Sequence, residues 1–167
     1  MGKEPSDQAP AKGGPKTAVY QEPGGAFSCE IPAAWRVLET QGGAQKVSFF
    51  GPPDGEKPFS ASISIYQFGP GSHYATPRDY AAAQAASGGA SQAPQEADWN
   101  GRKTLRFSAV RKRPVPHSTK TTEEKEDTVL IPLKSGFLAV VHAAAVSSHP
   151  RSEPVFRALL DNLRIPE

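Results

Sequence analysis

The chain has 167 residues, 37% of them hydrophobic, and 19 basic against 17 acidic side chains for a net charge of +2. That length and apolar content fill one core, and the near balance of charge lacks the basic excess of a nucleic-acid binder. One cysteine and one methionine exclude an internal disulfide framework and a cysteine-based metal cluster, and no apolar run approaches the roughly 20 residues that cross a bilayer.

The opening stretch MGKEPSDQAPAKGGPK holds three prolines and three glycines and no aromatic residue. It cannot bury enough surface to offset its ordering entropy. Residues 1–17 are therefore expected to form a disordered spacer, and residues 18–167 a single domain. No apolar h-region of a signal peptide is visible in it. Its composition suits a frayed end, or a tether that follows a removed export signal or lipid anchor.

From Val19 the pattern becomes that of a sheet. AVYQEPGGAFSCEIP predicts an extended piece, a Pro-Gly-Gly turn and a strand. Phe27, Cys29 and Ile31 share one face of that strand, so Cys29 is expected to act as a small buried hydrophobe. Pro32 should end the strand, and Trp35 should cover one end of the core. Val47 and Phe49 open a hairpin through the turn-rich GPPDGEKP. Its return strand alternates Phe59, Ala61, Ile63 and Ile65 with Ser60, Ser62, Ser64 and Tyr66.

Thr76 and Pro77 predict a helix start, with good helix formers running to Ala86. Asn100-Gly101 is the strongest short hairpin signal in the chain. It leads into a strand where Leu105, Phe107 and Ala109 face inward, and Thr104, Arg106 and Ser108 form a wet face. RKRPVPHSTKTTEEKED reads as a long polar connector, basic first and acidic later. TVLIPLKSGFLAVVHAAA predicts a second tight hairpin around Lys134-Ser135-Gly136. The chain closes on a helix with Ser152 as its N-cap, Pro154 in its first turn, and Val155, Phe156, Leu159, Leu160 and Leu163 as its apolar stripe. This order predicts an α+β fold, a central antiparallel sheet of about six strands flanked by helices.

The residues also carry a family resemblance. The run Y-x-x-P-x-G-x-F-S-x-x-x-P-x-x-W from Tyr20 to Trp35, the ISIYQF strand, TPRDYAAA, GFLAVVHAAA and the closing FRALLDNLRI together resemble the PsbP/Mog1/DcrB-like superfamily across Val19 to Ile165. The resemblance implies an α/β/α sandwich. It also implies a binding or accessory role, since that superfamily includes extrinsic photosystem II subunits, a Ran-binding import factor and exported bacterial lipoproteins. No functional residue is transferred from it.

No catalytic, metal or cofactor residue is predicted. His73, His117, His142 and His149 show no ligand spacing. His142 shares a strand face with Leu138 and Val140, where a hydrogen-bonded structural histidine is expected, while His73 and His149 read as solvated loop residues. No G-x-S-x-G nucleophile elbow occurs. Glu123, Glu124, Glu126 and Asp127 read as a solvated charge run. The binding candidate is the basic half of the connector: Arg111, Lys112, Arg113, His117 and Lys120. Its expected partner is a protein or other acidic surface, and not nucleic acid. The opposing expectation is that residues 123–127 neutralise it. The sequence thus predicts a non-enzymatic accessory or binding domain of an exported, periplasmic or envelope-associated bacterial (lipo)protein. The rival readings are an enzyme with an unrecognised small-molecule cleft and a purely structural envelope protein.

Overall fold

The computed structural model describes residues 16–55, 57–87, 90–91, 93–115 and 117–167. The strands are β1 (Thr17–Gln21), β2 (Ser28–Pro32), β3 (Arg36–Glu39), β4 (Gln45–Phe50) and β5 (Ala61–Phe68), then β6 (Ala90–Ser91), β7 (Gln95–Trp99), β8 (Arg102–Pro114), β9 (Thr121–Pro132) and β10 (Phe137–Ala145). Helix α1 (Pro77–Ala86) follows β5, and α2 (His149–Asn162) follows β10. Eight strands form one antiparallel sheet in the order β3-β4-β5-β10-β9-β8-β6, with β7 also paired to β8. Two short strands, β3 and β6, make up the excess over the six expected. β1 and β2 form a separate hairpin.

Residues 1–15 of the expected spacer lie outside the described residues. Its last two residues belong to the fold instead. The Lys16 carbonyl accepts a hydrogen bond from the Ala33 amide at 2.9 Å, and Thr17 pairs with Pro32. Strand pairing there outweighs the local composition.

Both faces of the sheet are covered. On one face Val47, Phe49, Ile63, Ile65, Val129 and Val140 pack with Phe156, Leu159 and Leu160 of α2 and with Phe27, Cys29 and Ile31 from the β1–β2 hairpin. On the other, Phe68, Leu105, Phe107, Leu130 and Phe137 pack with Tyr80 and Ala81 of α1. The strand alternation therefore sends one residue set to each helix. It also corrects the expected wet face of β8. Thr104 is buried beside β7, its hydroxyl donating to the Ala97 carbonyl at 2.8 Å, and Arg106 and Ser108 are half-buried, sharing a cavity wall with Phe156 and Leu160 of α2.

Several local signals act as their chemistry requires. Thr76 Oγ1 accepts from the Asp79 amide at 3.1 Å and caps α1, with Pro77 in its first turn. Asn100 and Gly101 take φ of 49° and 82°, the left-handed pair of a tight hairpin turn. Gly136 turns β9 into β10 with φ of 89°. The long polar connector does not exist as a loop. β8 continues to Pro114 and β9 begins at Thr121, so the turn is confined to 115–120.

The last helix begins earlier than Ser152. Ser148 occupies its N-cap position without a side-chain cap bond, and Pro150 lies in the first turn. Ser152 is a buried helical residue whose hydroxyl is engaged by a histidine. Trp99 Nε1 donates to the Leu160 carbonyl at 2.8 Å and fastens β7 to the same helix.

Truncating Phe156 or Leu160 to alanine should cost about 2–5 kcal/mol in denaturant melts. Truncating Arg157, whose side chain is 73% exposed, should cost under about 0.5 kcal/mol. Similar losses at Phe156 and Arg157 would contradict the packing of α2. At Gly136 a Cβ would stand 1.9 Å from the Phe68 carbonyl oxygen. Gly136→Ala should therefore destabilise by at least about 1–3 kcal/mol, visible as a lower melting midpoint.

Candidate functional site

Two polar constellations stand out: a charged ribbon at the end of the sheet, and a histidine cluster between the sheet and α2.

The ribbon carries the five predicted binding residues. β10 ends opposite Glu124, and β6 reaches only Val110. Beyond that line, among the described residues, β8 and β9 continue as a pair from Lys112↔Glu123 to Pro114↔Thr121, with the Val146 amide donating to the Glu123 carbonyl at 2.9 Å. Arg111 and Arg113 belong to strand β8, not to a loop, and both face the α1 side. Arg111 Nε meets Glu126 at 3.2 Å, and its guanidinium reaches Ser87 Oγ at 3.1 Å at the end of α1. Arg113 bridges Glu124 at 3.3 Å and Glu126 at 2.9 Å. The acidic half of the stretch thus does neutralise part of the basic half, through cross-strand pairs that also extend the strands. Lys112, His117 and Lys120 are exposed. Among the described residues neither lysine has a carboxylate within salt-bridge distance. His117 takes φ of 59° in the turn.

The cluster was not legible as a site. Ser108 on β8, Asp127 on β9 and His142 on β10 are neighbours across three strands, on the face turned to α2. His149 and Ser152 enter from the first turns of α2. Asp127 Oδ1 accepts from Ser108 Oγ at 2.6 Å. Its Oδ2 faces His142 Nδ1 at 3.4 Å and His149 Nε2 at 2.5 Å. On the far edge of its ring, His142 Nε2 lies 2.7 Å from Ser152 Oγ. His142 is fully buried and His149 is 4% exposed. The ring of His142 stacks on Phe156, with centroids 5.1 Å apart and planes 22° apart.

Two sequence expectations are corrected by this arrangement. His149 is not a solvated loop residue, and Asp127 is not part of a solvated charge run. The reason is register: Asp127 is the last acidic residue before the apolar part of β9, where the strand passes under α2. His142 does occupy the hydrogen-bonded, sheet-facing place expected for it.

Burial alone would raise the Asp127 carboxyl. Hydrogen bonds from His142, Ser108 and His149 prevail and hold it well below the usual carboxylate range, so it is ionised. Cys29, 2% exposed on its inward strand face, behaves oppositely. Burial, aided by the Glu30 charge, pushes its thiol up to about 12, which leaves it unreactive.

Ser152, His142 and Asp127 follow the order of a nucleophile–base–acid relay. Ser152 is 7% exposed, and its Oγ also reaches the His149 carbonyl at 3.3 Å, so the hydroxyl is closed off from solvent. The array ties α2 to the sheet.

No protein-family model matches the chain, and a search of curated proteins finds no match. Solved structures do share its fold. LpqN of Mycobacterium tuberculosis, involved in cell envelope biogenesis, aligns at TM-score 0.59 and 13% identity over 90% of both chains. The Ran-binding protein Mog1p of Saccharomyces cerevisiae aligns at 0.56 and 11% identity, over 91% of this chain and 96% of its own. Cyanobacterial PsbP from Synechocystis aligns at 0.54 and 11%, over 95% and 97%. A Bacteroides thetaiotaomicron structure aligns at 0.63 and 11% over 89% of this chain, which spans 48% of that longer one. These likenesses show the fold: the chain has the PsbP/Mog1-type α+β architecture.

The Asp127 carboxylate links protonation to stability. Its folded value lies below its unfolded one, so its contribution is complete above about pH 4. That contribution is lost as pH falls through the folded value. Asp127→Asn should lower the melting midpoint at neutral pH and flatten its fall between about pH 4 and pH 2. Parallel profiles for the variant and the parent would contradict this.

Proposed function

We propose that this chain is a non-enzymatic accessory domain that docks onto the acidic surface of a protein partner through the β8–β9 ribbon. The observation that carries the reading is the ribbon itself. Among the described residues it continues past the ends of β6 and β10 as two paired strands and presents Lys112, His117 and Lys120 to solvent, while Arg111 and Arg113 are tied to Glu124 and Glu126. Binding residues gather on segments held by a rigid scaffold, and the paired arginines stiffen this one. The fold is shared with a Ran-binding protein and with a cyanobacterial PsbP, which supports a protein partner. The envelope role stated for LpqN supports an exported, envelope-associated setting. Among the described residues no helix is long and apolar enough to cross a membrane.

The test is capture from a native host followed by binding kinetics on the purified pair. Exchanging Lys112 and Lys120 for serine should mainly slow association and leave the melting midpoint unchanged. Parent binding should weaken as salt rises past physiological strength, where charges more than about 8 Å apart are screened. A double variant that associates as fast as the parent would overturn the ribbon as the docking surface. Turnover of a small substrate abolished by His142→Ala would overturn the non-enzymatic reading.

A further inference from the structure

We propose that Asp127, His142 and His149 form a binding site for a divalent transition cation, zinc foremost, between β9, β10 and the first turn of α2. One ligand atom from each residue converges, all within 4.8 Å of one another. The contacts aim these atoms at a shared point. Ser152 Oγ holds His142 Nε2 at 2.7 Å, which turns Nδ1 to the Asp127 carboxylate oxygen 3.4 Å away. His149 Nε2 meets the same oxygen. A divalent cation can take the place of the protons that these nitrogens share with the carboxylate.

The spacing suits such a cation. Zinc binds nitrogen and oxygen at about 2.0–2.1 Å in a tetrahedral arrangement, which sets its ligands about 3.3 Å apart. The His142–Asp127 separation of 3.4 Å already has this value. His149 Nε2, 2.5 Å from the same oxygen, needs to withdraw by about 1 Å, a small rotation of a side chain at a helix start.

The surroundings are those of an oriented ligand set. Ser152 fixes the ring of His142, and Ser108 at 2.6 Å fixes the second oxygen of Asp127. Two imidazoles with one carboxylate favour zinc and its transition-metal neighbours over calcium or magnesium, which prefer oxygen alone. A cavity of about 220 Å³ with Ser108 and Glu153 in its wall meets the cluster at Asp127. Water can complete the coordination. Arg106 and Arg157 line the same cavity, and Arg157 is paired with Glu153 at 3.3 Å. Their charge disfavours a cation in the open cavity and leaves the two imidazoles behind Asp127 as its place.

The full chain, stripped with a chelator, is titrated with zinc by calorimetry and with cobalt(II) by visible absorption. One equivalent of zinc should bind, cobalt should give the intense bands of a four-coordinate nitrogen–oxygen site, and zinc should raise the melting midpoint. His149→Gln and Asp127→Asn should each weaken zinc binding by more than about 100-fold, and Ser152→Ala, which keeps all three ligands, by about 10–100-fold. The double variant His73→Gln/His117→Gln should bind as the parent does. Circular dichroism checks that each variant is folded, and the Ser152→Ala reading stands even where a ligand variant unfolds. The proposal is overturned if the parent takes up no stoichiometric zinc, or if uptake disappears with His73 and His117 and survives in His149→Gln.

Discussion

The structure depends on one strand being dry on both sides. Phe137, Leu138, Ala139 and Val140 of β10 are all fully buried, two on each face. An antiparallel strand more often keeps one face in water. Here both faces must be covered, so a layer is required above and below, and α1 and α2 supply them. The same constraint governs His142, placed further along β10 where no water reaches it. A buried polar ring costs free energy unless each of its nitrogens finds a partner. Asp127 on the adjacent strand and Ser152 on the helix are those partners. The position of α2 is thus set twice, by its apolar stripe and by a polar contact that tolerates little sliding.

The charged ribbon begins where this burial ends. Past Ala145 β8 is the strand that stays beside β9 among the described residues, and cross-strand ion pairs take over from apolar packing. Arg111 marks the junction, joining Glu126 in the sheet to Ser87 at the end of α1. Exposed ion pairs are individually weak. Their effect here is directional, since they keep the ribbon aligned with the sheet.

Much of the fold was legible because local and global preferences agree. Thr76-Pro77, Asn100-Gly101 and the Phe27-Cys29-Ile31 alternation each specify one conformation, and the structure uses it. Where reading failed, the deciding partner was distant in sequence. The expected loop after Val110 is strand because Arg113 finds Glu124 and Glu126 across the turn. Arg106 and Ser108 are half-buried because they share a cavity wall with Phe156 and Leu160 of α2, far along the chain. The histidine cluster joins residues from three strands and a helix, so no spacing rule could reveal it. The one usable hint was the lone ionisable residue in the apolar run from Phe137 to Val146, His142, which had to have partners.

The β1–β2 hairpin is held apart from the main sheet, joined to it through packing and through Asn162 and Arg164 at the end of α2. Cys29 lies on the inward face of that flap, and it is the chain's only thiol. A reagent can meet it only when the flap lifts or the domain unfolds. The rate at which the thiol is consumed in native buffer, divided by its rate in denaturant, is then an opening equilibrium constant for this element. The protein therefore contains its own gauge of how independently the flap moves, one that needs no added probe.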